Sequence, residues 1–198
     1  MSTNHARRLI VGISGASGAV YGIRVLELLR DKADIETHLI ISQAGKLTIG
    51  IETDRTTDEV EALADVAHHD RNVAASISSG SFDIDAMIVA PCSMKTLSAI
   101  VNSYSDNLLT RAADVTLKEG RPLILMPRES PLHVGHTRLL HEAAQMGIQL
   151  CPPVPAFYNS PQSLDDVIDH SVGRALDLLG IDLKVVDRWS GHRSDGET

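Results

Sequence analysis

The sequence predicts an α/β fold: a single doubly wound, mostly parallel sheet with helices on both of its faces. Two observations predict this fold. Short aliphatic runs alternate along the chain with segments whose apolar residues recur at helical spacing, the pattern of strands joined by crossover helices. The 198 residues suffice for one well-buried α/β domain and are too few for two, and neither a repeat nor a linker divides them. We therefore expect one domain over residues 1–198.

Composition and charge argue against several classes of protein. The net charge of −8 disfavours a nucleic-acid-binding protein, which needs a basic surface to neutralise phosphates. Cys92 and Cys151 lie far apart and form no C-x-x-C pair, so we interpret them as buried thiols in a reducing compartment. The N-terminus carries no apolar signal-peptide region, and no apolar run has the length of a membrane span. We expect a soluble, cytoplasmic protein that binds neither nucleic acid nor membrane.

The first strand, turn and helix are contained in Leu9–Val25. Leu9–Ile13 has the composition of a strand buried on both faces, and helical periodicity begins after the turn Ser14-Gly15-Ala16-Ser17-Gly18. This geometry directs backbone N–H groups and a helix N-terminus at an anion, most often a phosphate, and the hydroxyls of Ser14 and Ser17 can add donors. The turn matches neither G-x-G-x-x-G nor G-x-x-x-x-G-K-[ST], and its glycines would also permit close strand–helix packing without a ligand. We favour a phosphate-bearing ligand.

A second strand and helix follow at Ile35–Ile41 and Ala44–Ile51. Ser42 lies between them, where its ordinary role is to cap the helix N-terminus. Glu52 comes directly after the helix, and a lone glutamate in that position is usually solvated. Considered by itself, this segment does not identify a ligand.

The histidines do not predict a metal site. Residues 55–71 are polar and acidic with a weak amphipathic helix, and His68 and His69 are adjacent in sequence rather than one helical turn apart. We expect them on a solvated surface. His133 and His136 are three residues apart, but no third ligand of fitting spacing accompanies them. We therefore expect no metal.

The middle of the chain contains another buried strand, Ala86–Ala90, which ends in small and polar residues. Ligands of open α/β sheets bind outside the carboxyl ends of the strands, so a site is expected to be completed here. Ser93 and Thr96 can either cap the helix Met94–Val101 or donate to a ligand, and the sequence favours neither role. Cys92 has no histidine nearby in sequence, so we interpret it as a buried thiol rather than a nucleophile.

The next helix is predicted over Ser105–Glu119, capped at its first or second residue and ended by a glycine. Arg111 and Lys118 are seven residues apart and lie almost on one face of it. They could form ordinary surface ion pairs with Asp114, or together bind a dianion. Spacing alone favours the ion pairs.

A charged loop follows the strand Pro122–Met126. Arg128 and Glu129 lie between two prolines at the carboxyl end of that strand, and because proline restricts the shape of the loop, we favour a site over an exposed turn. A helix over Leu132–Met146 and a short apolar run at Ile148–Leu150 come next.

The C-terminal part begins with a stiff, proline-rich connection over residues 151–158, which is suited to presenting an aromatic ring and the Tyr158 phenol at a pocket or subunit contact. The last helix is predicted over Leu164–Leu179. The tail, residues 181–198, contains the isolated Trp189, and we expect it to pack at a subunit interface.

Several short motifs, none of them specific alone, occur together in a fixed order. They are Gly15-Ala16-Ser17-Gly18-Ala19, Ser42, Glu52-Thr53-Asp54, Ser79-Gly80-Ser81-Phe82, Ala90-Pro91-Cys92-Ser93-Met94-Lys95-Thr96-Leu97, Asp106-Asn107-Leu108, Arg111-Ala112-Ala113-Asp114-Val115, Leu117-Lys118-Glu119, Pro127-Arg128-Glu129, Pro155-Ala156-Phe157-Tyr158 and Arg188-Trp189. In this order and spacing they resemble the UbiX-type flavin prenyltransferases, the enzymes that make prenylated FMN for UbiD-type decarboxylases.

The resemblance implies a flavodoxin-like or Rossmann-like three-layer α/β/α subunit, assembled into a dodecamer built from trimers with each active site between subunits. It implies that reduced FMN binds a set of mainly small and polar residues: Gly15, Ala16, Ser17, Ser42, Ser93, Met94, Lys95, Thr96 and Arg128. Dimethylallyl phosphate would present its phosphate to Arg111, Lys118, Tyr158 and Arg174, and Trp189 would enclose the prenyl group. Catalytic roles would fall to Glu129, Glu52 and Ser17, and no metal would be required.

The reaction implied by the resemblance joins a dimethylallyl group to N5 and C6 of reduced FMN. Arginine and lysine would stabilise the departing phosphate, aromatic faces the allylic cation, and Glu129 would be the acid and base. One alternative is an FMN-dependent decarboxylase of the phosphopantothenoylcysteine type. Such enzymes carry a histidine near the first helix and a P-x-M-N motif, whereas this chain has G-A-S-G-A and A-P-C-S-M. The other alternative is a non-catalytic, FMN-carrying subunit of a hydroxyarylate decarboxylase.

Overall fold

A computed structural model describes residues 6–183. In this part of the chain, six parallel strands form one sheet in the order β3-β2-β1-β4-β5-β6. The strands are β1 (Arg7–Ile13), β2 (Ile35–Ile41), β3 (Val66–His69), β4 (Ala86–Cys92), β5 (Leu123–Pro127) and β6 (Gln149–Leu150). The helices are α1 (Ala19–Leu29), α2 (Gln43–Glu52), α3 (Thr57–Glu61), α4 (Met94–Val101), α5 (Leu108–Lys118), α6 (Val134–Gln145) and α7 (Leu164–Leu178), with a 3₁₀ turn at Ser76–Ser78.

The sheet separates two hydrophobic cores, which confirms the predicted three-layer, doubly wound fold. Residues of α1 and α7 pack with one face of the sheet, and residues of α4, α5 and α6 pack with the other. The aliphatic runs predicted as strands have both faces covered, and every residue of Ala86–Cys92 is buried. Such continuous aliphatic runs are typical of parallel strands whose two faces are both covered.

The strand order determines where a ligand can bind. From β1 the chain continues outward to β2 and β3, and it then crosses back to β4 on the other side of β1. The crossovers therefore diverge between β1 and β4 and leave a crevice beyond the carboxyl ends of these two strands. If the short edge strand β3 is left out, the remaining five strands have the flavodoxin-like order.

Two predictions about secondary structure were wrong. The segment 55–71 contains only the short helix α3, and its end forms the edge strand β3 instead of continuing a polar helix. Helix α5 starts at Leu108, and Asn107 caps it by accepting a hydrogen bond from the amide of Thr110 at 2.9 Å, so neither Ser105 nor Asp106 is the cap. Both differences depend on long-range pairing, since β3 pairs with β2 and the amide of Leu108 donates to the carbonyl of Asp70.

A histidine pair links β3 to β2. Nδ1 of the buried His38 lies 3.0 Å from Nε2 of His68, and the two rings stack with centroids 5.3 Å apart. The other ring nitrogen of His38 lies 2.8 Å from Glu36, and Phe82, which lies beneath the guanidinium of Arg8, contacts the His38 ring edge-on. The prediction of a solvated surface was therefore wrong for His68.

No helix within residues 6–183 is long and apolar enough to cross a membrane. Within the same residues, no group of three histidine, cysteine or acidic side chains is arranged to hold a metal ion. The predicted roles of Trp189 and of most of the tail concern residues 184–198, which lie outside the described part of the chain.

Candidate functional site

The candidate site begins where β1 and β4 end, and a buried serine joins these two ends. The hydroxyl of Ser14, which is 1% exposed, donates to the carbonyl of Pro91 at 2.8 Å and accepts from the amide of Ser93 at 2.7 Å. Ser14 therefore does not present its hydroxyl to a ligand, as its place in the turn had suggested. It holds the start of α4 against the end of β1.

A cavity of about 220 Å³ lies between the N-termini of α2 and α4. It is lined by five of the residues expected to bind FMN, namely Gly15, Ser42, Ser93, Lys95 and Thr96. The side chains of Ser42 and Ser93 cap the two helices by accepting hydrogen bonds from the amides of Gly45 and Thr96 at 3.0 and 3.2 Å. Two helix N-termini and the Lys95 ammonium give this cavity the character of an anion site.

The glycine at the mouth of this cavity serves packing as well as access. A Cβ at Gly15 would lie 2.2 Å from the Cβ of Ala44, so only glycine allows the first turn to approach α2 this closely. The sequence left two roles open for the glycine-rich turn, close packing and ligand binding, and the structure shows the close packing. The cavity beside it leaves room for a ligand.

The same cavity has an acidic wall that the sequence did not predict. Asp70 is 5% exposed at the end of β3, and its carbonyl and carboxylate accept hydrogen bonds from the amides of Leu108 and Leu109 at 2.7 and 3.4 Å. Burial raises the pKa of Asp70. The strand that positions Asp70 was missed, so the pattern carried no signal for it. The other lining residues that were not predicted to belong to the site are Gln43, Ala44, Arg71, Ala99, Asp106, Asn107 and Thr110.

The carboxylate of Glu52, the last residue of α2, lies at the N-terminus of α1. Its Oε2 accepts hydrogen bonds from the amides of Gly18 and Ala19 at 2.8 and 3.1 Å. Burial opposes ionisation of Glu52, but hydrogen bonds from Ser17, Gly18 and Ala19 and the nearby charge of Arg128 outweigh it and hold the pKa of Glu52 below its usual value. The helix N-terminus predicted to face a phosphate therefore faces an internal carboxylate, and Glu52 is not merely a solvated residue.

A second cavity, of about 240 Å³, surrounds the loop after β5. Arg128 and Glu129 line it together with Tyr21 of α1 and residues 152–154 of the proline-rich connection. The amide of Arg128 donates to the carbonyl of Cys92 at 3.1 Å, so the loop is attached to the end of β4. Burial raises the pKa of Tyr21, and the charge of Arg128 partly opposes that rise; the same charge helps to hold the pKa of Glu52 below its usual value. We call this second cavity the Arg128 cavity.

Two further residues expected to contact FMN lie on the same edge of the sheet. Ala16 is buried in the first turn, and Met94 is the first residue of α4 and packs partly against the core. Cys92, between β4 and the Ser93 cap, is fully buried, and burial raises its pKa to about 12. It is therefore a buried thiol, as predicted, and is not activated as a nucleophile.

The four residues expected to bind the donor phosphate fall into two groups. Arg111 and Lys118 belong to α5, where Arg111 pairs with Asp114 at 2.7 Å and Lys118 pairs with Glu119. The hydroxyl of Tyr158 lies 3.0 Å from Nε2 of His170 on α7, and Arg174 lies one turn further along that helix, where it pairs with Asp177 at 3.0 Å. Because α5 and α7 cover opposite faces of the sheet, one chain does not bring the two groups together.

Comparison with known proteins places this geometry among flavoproteins. The family model described as Flavoprotein matches residues 1–175. The flavin prenyltransferase UbiX of Escherichia coli is 61% identical over 187 residues, which are 93% of this chain and 99% of that protein. The crystal structure of AnUbiX in complex with FMN and dimethylallyl pyrophosphate superposes with a TM-score of 0.93 at 48% identity, covering 96% of this chain and 100% of that one. A dodecameric FMN-dependent UbiX-like decarboxylase from Escherichia coli superposes with a TM-score of 0.91 at 49% identity, covering 93% and 100%.

Proposed function

From the premise that this chain belongs to the flavoprotein family, as a flavin prenyltransferase of the UbiX type, we propose that it joins a dimethylallyl group from dimethylallyl phosphate to reduced FMN. The observation that carries the proposal is the juxtaposition of two cavities along one edge of the sheet. One has the character of an anion site between two capped helix N-termini, and the other contains Arg128 and Glu129. Glu52 is hydrogen-bonded to the first turn and is close enough to Arg128 to feel its charge.

The residues of the first cavity fit FMN. This cavity offers hydroxyl, amide and ammonium donors to a phosphate from Ser42, Ser93, Thr96 and Lys95, and Gly15 of the glycine-rich turn lines it too. FMN, in its reduced form, supplies N5 and C6, the atoms that accept the dimethylallyl group. Ser17 and Glu52 would lie against it, and the hydrogen bonds that Glu52 receives keep that carboxylate ionised.

The second group of residues fits the donor. Departure of phosphate from an allylic carbon leaves negative charge on the phosphate and positive charge on the carbon. Arg174 and the phenol of Tyr158 can bind the phosphate, and Glu129, exposed on its loop, can transfer protons as the second bond to the ring closes. Protein cations take the place that a metal ion has at many phosphates.

A neighbouring copy of the chain would complete the site. Arg111 and Lys118 lie on the opposite face of the sheet from Tyr158 and Arg174, so they can join these residues only across a subunit contact. Exposed apolar side chains near the site are consistent with such a contact: Ile51 is 83% exposed and Phe157 is 75% exposed. We expect a homo-oligomer built from trimers, up to a dodecamer, with Trp189 helping to enclose the prenyl group.

The product would serve a UbiD-type decarboxylase in the cytoplasm. Prenylated FMN is a cofactor rather than an end product, so an enzyme that consumes it must be present in the same compartment.

The direct test is an anaerobic incubation with reduced FMN and dimethylallyl phosphate, followed by mass measurement of the extracted flavin. We expect a gain of one five-carbon unit. Glu129→Gln should slow product formation by about 10²–10⁴-fold, because it removes a proton-transferring group. The matched control is Glu142→Gln on α6, whose carboxylate only pairs with Arg138. A flavin of unchanged mass with both the monophosphate and the diphosphate donor would refute the proposal.

Two variants test the shared site. Arg111→Ala and Tyr158→Phe should each be impaired alone. If one active site takes these residues from different subunits, mixing and reassembling the two variants should restore part of the activity, because some sites then receive both intact groups. If the protein were only an FMN-carrying subunit, Glu129→Gln would still support its partner decarboxylase fully.

A further inference from the structure

Tyr21 is the residue of the Arg128 cavity to which neither the sequence nor the proposed function assigns a role. It lies in the first turn of α1 and lines the cavity together with Arg128 and Glu129. Its ring packs against Gly18, since a Cβ at Gly18 would lie 2.9 Å from both Cδ2 and Cε2 of the ring. Its amide donates to the carbonyl of Gly18 at 3.0 Å, which fixes the backbone as well.

In the part of the chain that the structure describes, the hydroxyl of Tyr21 has no hydrogen-bonding partner. The side chain is nevertheless only partly exposed. The phenol of Tyr158, by contrast, is paired with His170. A partly desolvated hydroxyl that lacks a protein partner can bond only to water or to a ligand.

The surroundings favour the hydroxyl as a donor. Burial raises the pKa of Tyr21 although the charge of Arg128 opposes this, so the phenol keeps its proton at neutral pH. The guanidinium of Arg128 forms no close ion pair in the described part of the chain, although its charge acts on Glu52. A guanidinium without a close ion pair and a protonated phenol in one cavity are two donors that fit the same anionic, oxygen-rich group.

We propose that Tyr21 is a further ligand-binding residue of this site, and that its hydroxyl donates a hydrogen bond to a phosphate oxygen of the ligand bound by Arg128. This inference rests on the proposed function for the identity of the ligands. Two phosphates are available, that of FMN and that of the allylic donor, and the chemistry of recognition is the same for both.

The test is Tyr21→Phe, which removes the hydroxyl and keeps the ring against Gly18. Tyr104→Phe is the matched control, because Tyr104 is 64% exposed and lines neither cavity. Binding of FMN is followed by quenching of flavin fluorescence, and binding of dimethylallyl phosphate by calorimetry. Loss of a hydrogen bond to a charged group should weaken binding by about 10- to 100-fold, and only for the ligand whose phosphate meets Tyr21.

Each outcome decides the proposal. Weaker binding of dimethylallyl phosphate with unchanged FMN binding assigns the hydroxyl to the donor phosphate, and the reverse assigns it to the FMN phosphate. Unchanged binding of both ligands overturns the inference. Equal weakening of the binding of both ligands, together with a lower unfolding midpoint, also overturns it, because that result indicates that Tyr21 acts through packing. These titrations measure binding rather than turnover, so they remain informative if the wild-type protein fails to prenylate FMN, a result that would refute the proposed function alone.

Discussion

Replacing Ser14 with alanine should destabilise the protein far more than an ordinary serine substitution. The wild-type hydroxyl bridges the ends of β1 and β4 with hydrogen bonds of 2.8 and 2.7 Å, to the carbonyl of Pro91 and from the amide of Ser93. The alanine variant keeps one bond to Pro91, since the backbone amide of residue 14 donates to the same carbonyl at 3.2 Å. It leaves the amide of Ser93 without its acceptor.

The size of the effect follows from these contacts. A lost buried hydrogen bond costs about 1 kcal/mol, and an orphaned amide costs about 1–3 kcal/mol. Because Ser93 is only partly buried and water can reach it in part, we take the lower half of that second range and expect a loss of about 2–3 kcal/mol in the free energy of unfolding. Since Ser93 caps α4 beside the first cavity, FMN binding should weaken as well, although Ser14 does not line that cavity.

Urea unfolding of both proteins at one protein concentration measures this loss, provided that the slope with denaturant stays constant. Ser98→Ala is the control, because the Ser98 hydroxyl accepts only a 3.4 Å bond from the Asn102 side chain and its loss should change stability by no more than about 0.5 kcal/mol. If Ser14→Ala lost no more stability than Ser98→Ala, the bridge would not hold the two strand ends together.

Three further predictions concern packing, pH and thiol reactivity. Gly15→Ala should destabilise the protein by about 1–3 kcal/mol, because the new Cβ would lie 2.2 Å from the Cβ of Ala44. Gly50→Ala, whose Cβ would have no described atom within 4 Å, should stabilise α2 by about 0.5–1 kcal/mol. Equal urea midpoints for the two variants would contradict both expectations. Burial lowers the pKa of His38, so the stability that it contributes is complete above its unfolded pKa of about 6.5 and is lost as pH falls through the lower folded value. The wild-type urea midpoint should therefore decrease as the pH is lowered from about 7.5 to about 5.5. It should decrease less in His38→Gln, and parallel curves of midpoint against pH for the two proteins would show that His38 is not responsible. Cys92, with its pKa raised to about 12, should react with a thiol reagent only after unfolding, and rapid labelling of the folded protein at this residue would refute its burial.

The fold could be predicted from the sequence wherever burial alone determines local structure. Ala86–Ala90 and Leu9–Ile13 contain no polar side chain, so covered strands were the only arrangement that suited them. The edge strand β3 is different, because Val66 and Ala67 are exposed and the strand exists through its ladder with β2, about thirty residues earlier in the chain. A local pattern cannot report such a pairing, and the histidine stack that accompanies it was missed for the same reason.

The same distinction applies to the site. Ser42 and Ser93 could be identified because an N-cap serine directly after a strand is a local signal, and both do cap helices at the expected edge of the sheet. Asp70 depends on β3, and the role of Glu52 depends on a contact with Gly18, 34 residues away. Neither contact leaves a trace in periodicity or composition.

The contact between Glu52 and Gly18 changes the interpretation of the glycine-rich turn itself. A helix N-terminus favours negative charge whatever its source, and at α1 the charge comes from Glu52 of the same chain. A phosphate at this position would have to displace a carboxylate that already accepts two amides, so α2 and α4, whose capped N-termini border the first cavity, are the helix N-termini at this edge that remain open to an external anion. The turn therefore holds an ionised carboxylate near the charge of Arg128. A negative charge fixed there opposes a second anion at the same point and would favour positive charge that develops beside it, which is what the proposed transfer of an allylic group needs.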